Sequence, residues 1–101
     1  MTLLSRIISG YESSDYEWIQ DSYGDSERDV RGNPDLTPRF CPLGAVLALC
    51  TSYDAAADAE IQLERQARAQ GYASFVLYND APGRTLDEVL DTLRAADANL
   101  V

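Results

Sequence analysis

The chain contains no lysine and no histidine, and its eight basic residues are all arginine. Without histidine it lacks the commonest general base near neutral pH and the commonest ligand for transition metals. Two cysteines alone, Cys41 and Cys50, cannot complete a four-ligand zinc site without carboxylates. On a single helix their separation would be roughly 13 Å along the axis, too far for a disulfide. Both therefore read as reduced thiols of a cytoplasmic protein. Positive charge is scarce as well: 17 acidic residues give a net charge of −9, and no arginine cluster offsets it. Direct nucleic-acid binding is thereby disfavoured, while a basic protein partner remains compatible. No long apolar run is present. The longest, around Ala45–Cys50, falls well short of a membrane span, and no basic-plus-apolar leader opens the sequence. Phosphate-binding glycine loops, zinc motifs and serine-nucleophile motifs are missing too. The expectation is a cytoplasmic protein with no membrane contact, no metal, no cofactor and no assigned catalytic residue. Its lysine-free bias toward Ala, Arg, Asp and Leu suggests GC-rich coding, as in an actinobacterium or one of its phages.

What is present points to one domain over residues 1–101, large enough for a single modest core. The stretch Phe40–Cys50 carries no charge and predicts a helix that is apolar on most of its circumference and buried at the centre. Pro42 suits its first helical position, which makes Cys41 the N-cap, and Gly44 lets another element come close. This helix should run to about Thr51–Tyr53. Leu3, Leu4, Ile7, Ile8 and Tyr11 have the spacing of an amphipathic helix capped by Thr2 and weakened at Gly10. A third helix, Ala55–Gln70, is expected to be capped by Asp54 and stopped by Gly71. It has a small-residue stripe of Ala56, Ala59, Leu63 and Ala67, and a Glu64–Arg68 pair on its outer face. The last helix opens at Thr85 with the capping box Thr85–Glu88 and buries Leu86, Val89, Leu90 and Leu93. The segment Tyr72–Tyr78 reads as a helical turn or an extended piece, with the Trp18 region its only strand partner. Residues 24–38 form an irregular loop within the domain. The fold class is thus mainly α: about four helices around a buried central one, with room for one short two-stranded β element.

Two polar segments compete for function. Between Tyr11 and Asp35, eight carboxylates face only Arg28 and Arg31 and are interleaved with aromatic residues. Tyr11, Asp15, Tyr16, Glu17, Trp18, Asp21 and Tyr23 make a candidate surface for a basic protein partner. The plainer reading is a solvated acidic loop with Trp18 plugging the edge of the core. The second segment, Asn79-Asp80-Ala81-Pro82-Gly83-Arg84-Thr85, is a turn running into a helix N-terminus. There Asn79, Asp80, Arg84 and Thr85 could hold a small polar ligand. Its plainer reading has Asp80 paired with Arg84, Asn79 satisfying turn amides and Thr85 capping. Cys41, at a helix N-terminus, has one ingredient of a reactive thiol but no base beside it, so packing is the preferred reading.

Three pieces taken together, Trp18-Ile19-Gln20, Phe40-Cys41-Pro42-Leu43-Gly44-Ala45 and Asn79–Thr85 running into Leu86-Asp87-Glu88-Val89, resemble a group of small uncharacterised proteins of actinobacteria and their phages. The resemblance spans most of the chain, with the Tyr11–Pro38 stretch, Trp18-Ile19-Gln20 apart, outside it. It implies a cytoplasmic, mainly helical small domain and no established activity. The leading expectation is a non-enzymatic interaction protein, phage-encoded and directed at a host protein. The alternative is a ligand-binding domain or enzyme built on Asn79–Thr85.

Overall fold

The computed structural model of the protein describes residues 2–26, 31–32 and 35–100. Residues 27–30 and 33–34 of the loop expected over 24–38, with the charges of Glu27, Arg28 and Asp29 and with Pro34, lie outside the described residues. Among the described residues there are five helices: α1 (Leu3–Glu12), α2 (Pro42–Leu49), α3 (Tyr53–Ala69), α4 (Phe75–Asn79) and α5 (Leu86–Ala98). One two-stranded parallel sheet joins β1 (Glu17–Trp18) to β2 (Arg39–Phe40), with Trp18 opposite Phe40. The radius of gyration is 12.6 Å, the value of one compact unit of this length (about 13 Å). The mainly α class stands.

The capping chemistry reads directly off the residues. Thr2 accepts the Ser5 N–H, Cys41 the Gly44 N–H, Ser74 the Leu77 N–H and Thr85 the Glu88 N–H, so each helix start has an orphan donor satisfied. The third helix begins earlier than its residues suggest. Ser52, rather than Asp54, is its N-cap and accepts from Ala55 N, leaving Asp54 in the first turn, where a carboxylate favours the dipole. Its end is the full Schellman arrangement. Gly71 adopts φ +92°, its N–H bonds to Arg68 O at 3.0 Å and Tyr72 N–H to Ala67 O at 3.0 Å. Glu64 does not pair with Arg68. Its carboxylate accepts the Phe75 N–H at 3.1 Å and so helps to cap α4.

The core is assembled from the expected stripes. Leu4 and Ile7 of α1, Ala59, Leu63 and Ala67 of α3, and Val89, Leu93 and Ala96 of α5 have no exposed surface. The small residues of α3 let α5 lie close, and these two helices share the most extensive packing, with α1 across α5. Helix α1 does not weaken at Gly10. It continues to Glu12, and a Cβ at position 10 would sit 2.1 Å from the Tyr16 ring, so the glycine provides space for that ring. Helix α2 ends at Leu49, before Thr51, and is buried over Pro42–Val46, whereas Leu47 is 56% exposed. The segment 75–79 forms a helix, and the strand partner of Trp18 is Arg39–Phe40, reached across the long loop.

Candidate functional site

The acidic, aromatic segment forms a strap that crosses the β2–α2 junction twice. On its first pass Glu17 N–H bonds to Pro38 O (2.8 Å) and Ile19 N–H to Phe40 O (3.3 Å). It then turns at Asp21, which sits at φ +65°, a left-handed conformation that aspartate tolerates better than most residues. On the return Cys41 N–H bonds to Tyr23 O (3.1 Å), Asp25 N–H to Arg39 O (2.8 Å), and Arg39 N–H to the Asp25 carboxylate (2.9 Å). Two glycines make this second pass possible. A Cβ on Gly44 would lie 1.8 Å from Tyr23 O, and Gly24 holds φ +100° with its Cα hydrogens facing Arg39 O. The close approach expected at Gly44 is therefore that of the strap.

The two segments that compete in the sequence meet in space. Trp18 Nε1–H donates to Asn79 Oδ1 (2.6 Å), and Asn79 Nδ2 donates to Ile19 O (3.1 Å) and to Asp80 Oδ1 (3.1 Å). Gln20 Nε2 donates to Asn79 O (2.9 Å) and Ala81 O (3.0 Å), while Asp21 N–H donates to Asp80 Oδ1 (2.9 Å). Asn79 is 1% exposed and has its side chain fully engaged. The Asn-Asp turn and the strap form one polar clamp.

This geometry corrects the plainer reading of the turn. Asp80 pairs with the strap, and Arg84 does not reach it. The Arg84 guanidinium lies 4.0 Å above the Tyr78 ring centre and 5.3 Å from that of Tyr72. It donates to Tyr78 O (3.0 Å), to Tyr72 Oη (2.7 Å) and to Glu88 (3.2 Å). Asn79 bridges to Trp18 and Ile19 instead of serving turn amides, whereas Thr85 caps α5 as expected, in a complete capping box. Three of the four ligand-binding candidates, Asn79, Arg84 and Thr85, are thus committed to internal contacts. Asp80 keeps Oδ2 without a hydrogen bond among the described residues.

The seven partner-binding candidates separate by burial. Tyr11 is 3% exposed and its hydroxyl donates to Phe40 O (2.7 Å), so it is a core residue and offers no surface. Burial pushes the Tyr11 hydroxyl pKa far up, with the charge of Cys41 adding to it. Tyr16 packs edge-on against Tyr11 and Phe40, and Trp18 is held by Asn79; both are half-buried scaffold residues. Asp15, Glu17, Asp21 and Tyr23 are exposed, Tyr23 by 54%. The Asp21 carboxylate has no hydrogen bond or ion pair among the described residues. Cys41 is 4% exposed. Its thiol is pushed up chiefly by burial, partly countered by the Gly44 and Leu43 N–H groups and raised again by the charge of Asp80. Desolvation outweighs the helix terminus there, which makes Cys41 a packing thiol.

Two clefts flank Tyr23. One, of about 210 Å³, is lined by Asp21, Ser22, Tyr23, Cys41, Val76, Asn79 and Asp80. The other, of about 200 Å³, is lined by Tyr23, Gly24, Asp25, Ser26, Gly44, Leu47 and Ala48. Gln20, Leu47 and Val76 are not among the site residues that the sequence singles out. A signal for Leu47 was available: a helix apolar all round, at the edge of a small domain, must turn some apolar side chain outward.

No curated protein and no solved structure matches the chain. A family profile does, over residues 14–99. That span takes in the residues around Trp18-Ile19-Gln20 up to Pro38, which the motif resemblance leaves outside, and it agrees with a strap that is built into the fold. With every element after α1 covered, the chain belongs to DUF6197, a family of unknown function.

Proposed function

We propose that the protein is a non-enzymatic interaction module that binds a basic protein partner through the exposed part of its strap. The observation that carries this reading is the presentation of Tyr23: a tyrosine 54% exposed, on a strap fixed by main-chain bonds, near an Asp21 carboxylate that has no partner among the described residues. A pre-positioned tyrosine supplies contact area at little entropic cost, and neighbouring carboxylates select and steer a basic partner. The binding surface is accordingly narrower than the segment suggests: Asp15, Glu17, Asp21 and Tyr23 face solvent, while Tyr11, Tyr16 and Trp18 hold the scaffold. A small-ligand role for Asn79–Thr85 has less in its favour, because Asn79, Arg84 and Thr85 already serve the clamp, the aromatic stack and the helix cap. A phage origin and a host target are part of the proposal and rest on the lysine-free composition and the motif resemblance. The test is a capture experiment from actinobacterial lysate with the wild type and with D21N/Y23A. Partners specific to the strap are retained by the wild type, lost by the double variant and weakened by salt. Retention of every partner by a folded D21N/Y23A protein overturns the reading.

A further inference from the structure

We propose that the paired clefts astride Tyr23 receive a short partner segment in which an arginine neighbours a bulky apolar side chain. Resting on the interaction reading above, this assigns the chemistry of what the strap binds.

Size is the first argument. Each cleft holds about 200 Å³, below the roughly 300–1,000 Å³ of sites for free small molecules and suited to one side chain apiece. Lining is the second. One cleft beside Tyr23 is lined by Asp21 and Asp80 together with the apolar Val76 and Cys41. Asp21 has an unbonded carboxylate, and Asp80 an unbonded Oδ2, among the described residues. A planar guanidinium meets such a place well: it accepts an aromatic ring on its face and carboxylates on its edge, and it loses hydration more readily than an ammonium. The molecule already seats its own Arg84 by this chemistry, over the Tyr78 ring, on the Tyr72 hydroxyl and against Glu88. On the other side of Tyr23, Leu47, Ala48 and Gly44 make an apolar wall with Leu47 56% exposed. Charge decides between occupants. A second copy of this chain would bring another net −9 to an acidic cleft, whereas an arginine-bearing segment is drawn to it.

The experiment uses the full-length chain, isotope-labelled for amide NMR, and three capped peptides identical except at one position: Ala-Ala-Leu-Arg-Ala-Ala with Arg, Lys or citrulline. The arginine peptide is expected to shift the amides of Tyr23, Gly44 and Asp80 together. Citrulline, which keeps the shape and loses the charge, should bind at least about tenfold more weakly, the equivalent of one charge-assisted hydrogen-bonded contact. D21N should weaken the arginine peptide selectively, with unchanged amide dispersion showing that the fold persists. Equal binding of the three peptides, no shifts with any of them, or shifts centred elsewhere overturns the proposal. So does the appearance of the same shifts on raising protein concentration alone, since a second copy would then be the occupant. Failure here with continued loss of lysate partners by D21N/Y23A sinks the arginine assignment and leaves the interaction reading standing. Failure here together with retention of every partner by D21N/Y23A would sink the two together.

Discussion

At the scale of single residues, Asn79 is the joint on which the clamp depends. It takes the Trp18 indole N–H and gives its own amide to Ile19 O while 1% exposed. Replacing it by alanine leaves a part-buried indole donor and a strand-end carbonyl without their partners. The expected cost is about 1–3 kcal/mol, read as a lower urea midpoint at unchanged m value. Gly44 is the other sensitive position. A methyl group there would stand 1.8 Å from Tyr23 O, and the neighbour is main chain that cannot rotate away. Gly44→Ala should displace the strap and destabilise the protein by about 1–3 kcal/mol, the usual penalty of overpacking. Hydrogen exchange is the sharper check: the Cys41 amide, bonded to Tyr23 O, should lose protection while amides of α3 and α5 keep theirs. Neither partnership of Asn79 is visible in the sequence, because Trp18 and Asn79 stand 61 positions apart and no local pattern links them. The close approach at Gly44 was visible, since a glycine inside an otherwise apolar helix is costly unless something presses against it.

At the scale of elements, the termini of the helices carry the testable chemistry. Glu88 closes the capping box from Thr85 and also receives Arg84. Its pKa is lowered chiefly by the Thr85 backbone N–H, then by the Thr85 hydroxyl, with Arg84 contributing. The unfolded chain therefore binds this proton at a higher pH than the folded one. The stabilisation Glu88 provides is fully present above the ordinary glutamate range and is lost as pH falls through that range to its lower folded value. Glu88→Gln should accordingly flatten this part of the acid limb, compared by denaturation at neutral pH and at pH values below the glutamate range. Thr85→Ala, which removes the N-cap oxygen itself, should cost about 1 kcal/mol at neutral pH. The elements most legible in the sequence are those governed by such local rules: the Thr2, Cys41 and Thr85 caps, the Gly71 stop and the α3 stripe all stand where the residues put them. The less legible ones are short. A two-residue strand has too few side chains for a period, and its partner lies across the loop.

At the scale of the whole molecule, charge dominates. A net −9 on a body 38 × 31 × 21 Å, with few ion pairs among the described residues, leaves mutual repulsion only partly offset. The melting temperature should therefore rise as ionic strength is raised from about 10 mM toward physiological values, as the screening length shrinks to about 8 Å. A fall over the same range would mean that the surface pairs, such as Arg94 with Glu12 and Asp91, outweigh the repulsion. The same field should make strap binding faster at low salt, and this links a measurement of stability to one of association.

Taken by itself, the sequence determined the class of the fold, the starts of α1, α2 and α5, and the buried faces. Those properties follow from spacing and capping within a few residues, where hydrophobic period and hydrogen-bond satisfaction act directly. It also determined the acidity and the lack of a histidine base, which are facts of composition. Only the tertiary structure decided that the two polar segments are one clamp, that Arg84 belongs to Tyr78 and Glu88 instead of Asp80, and that Tyr23 and Asp21 are left facing outward while Tyr11 is enclosed. Those outcomes depend on which distant groups can satisfy a buried donor or acceptor once the helices have packed. Near neighbours in sequence such as Asp80 and Arg84 lose that competition when packing turns their side chains apart.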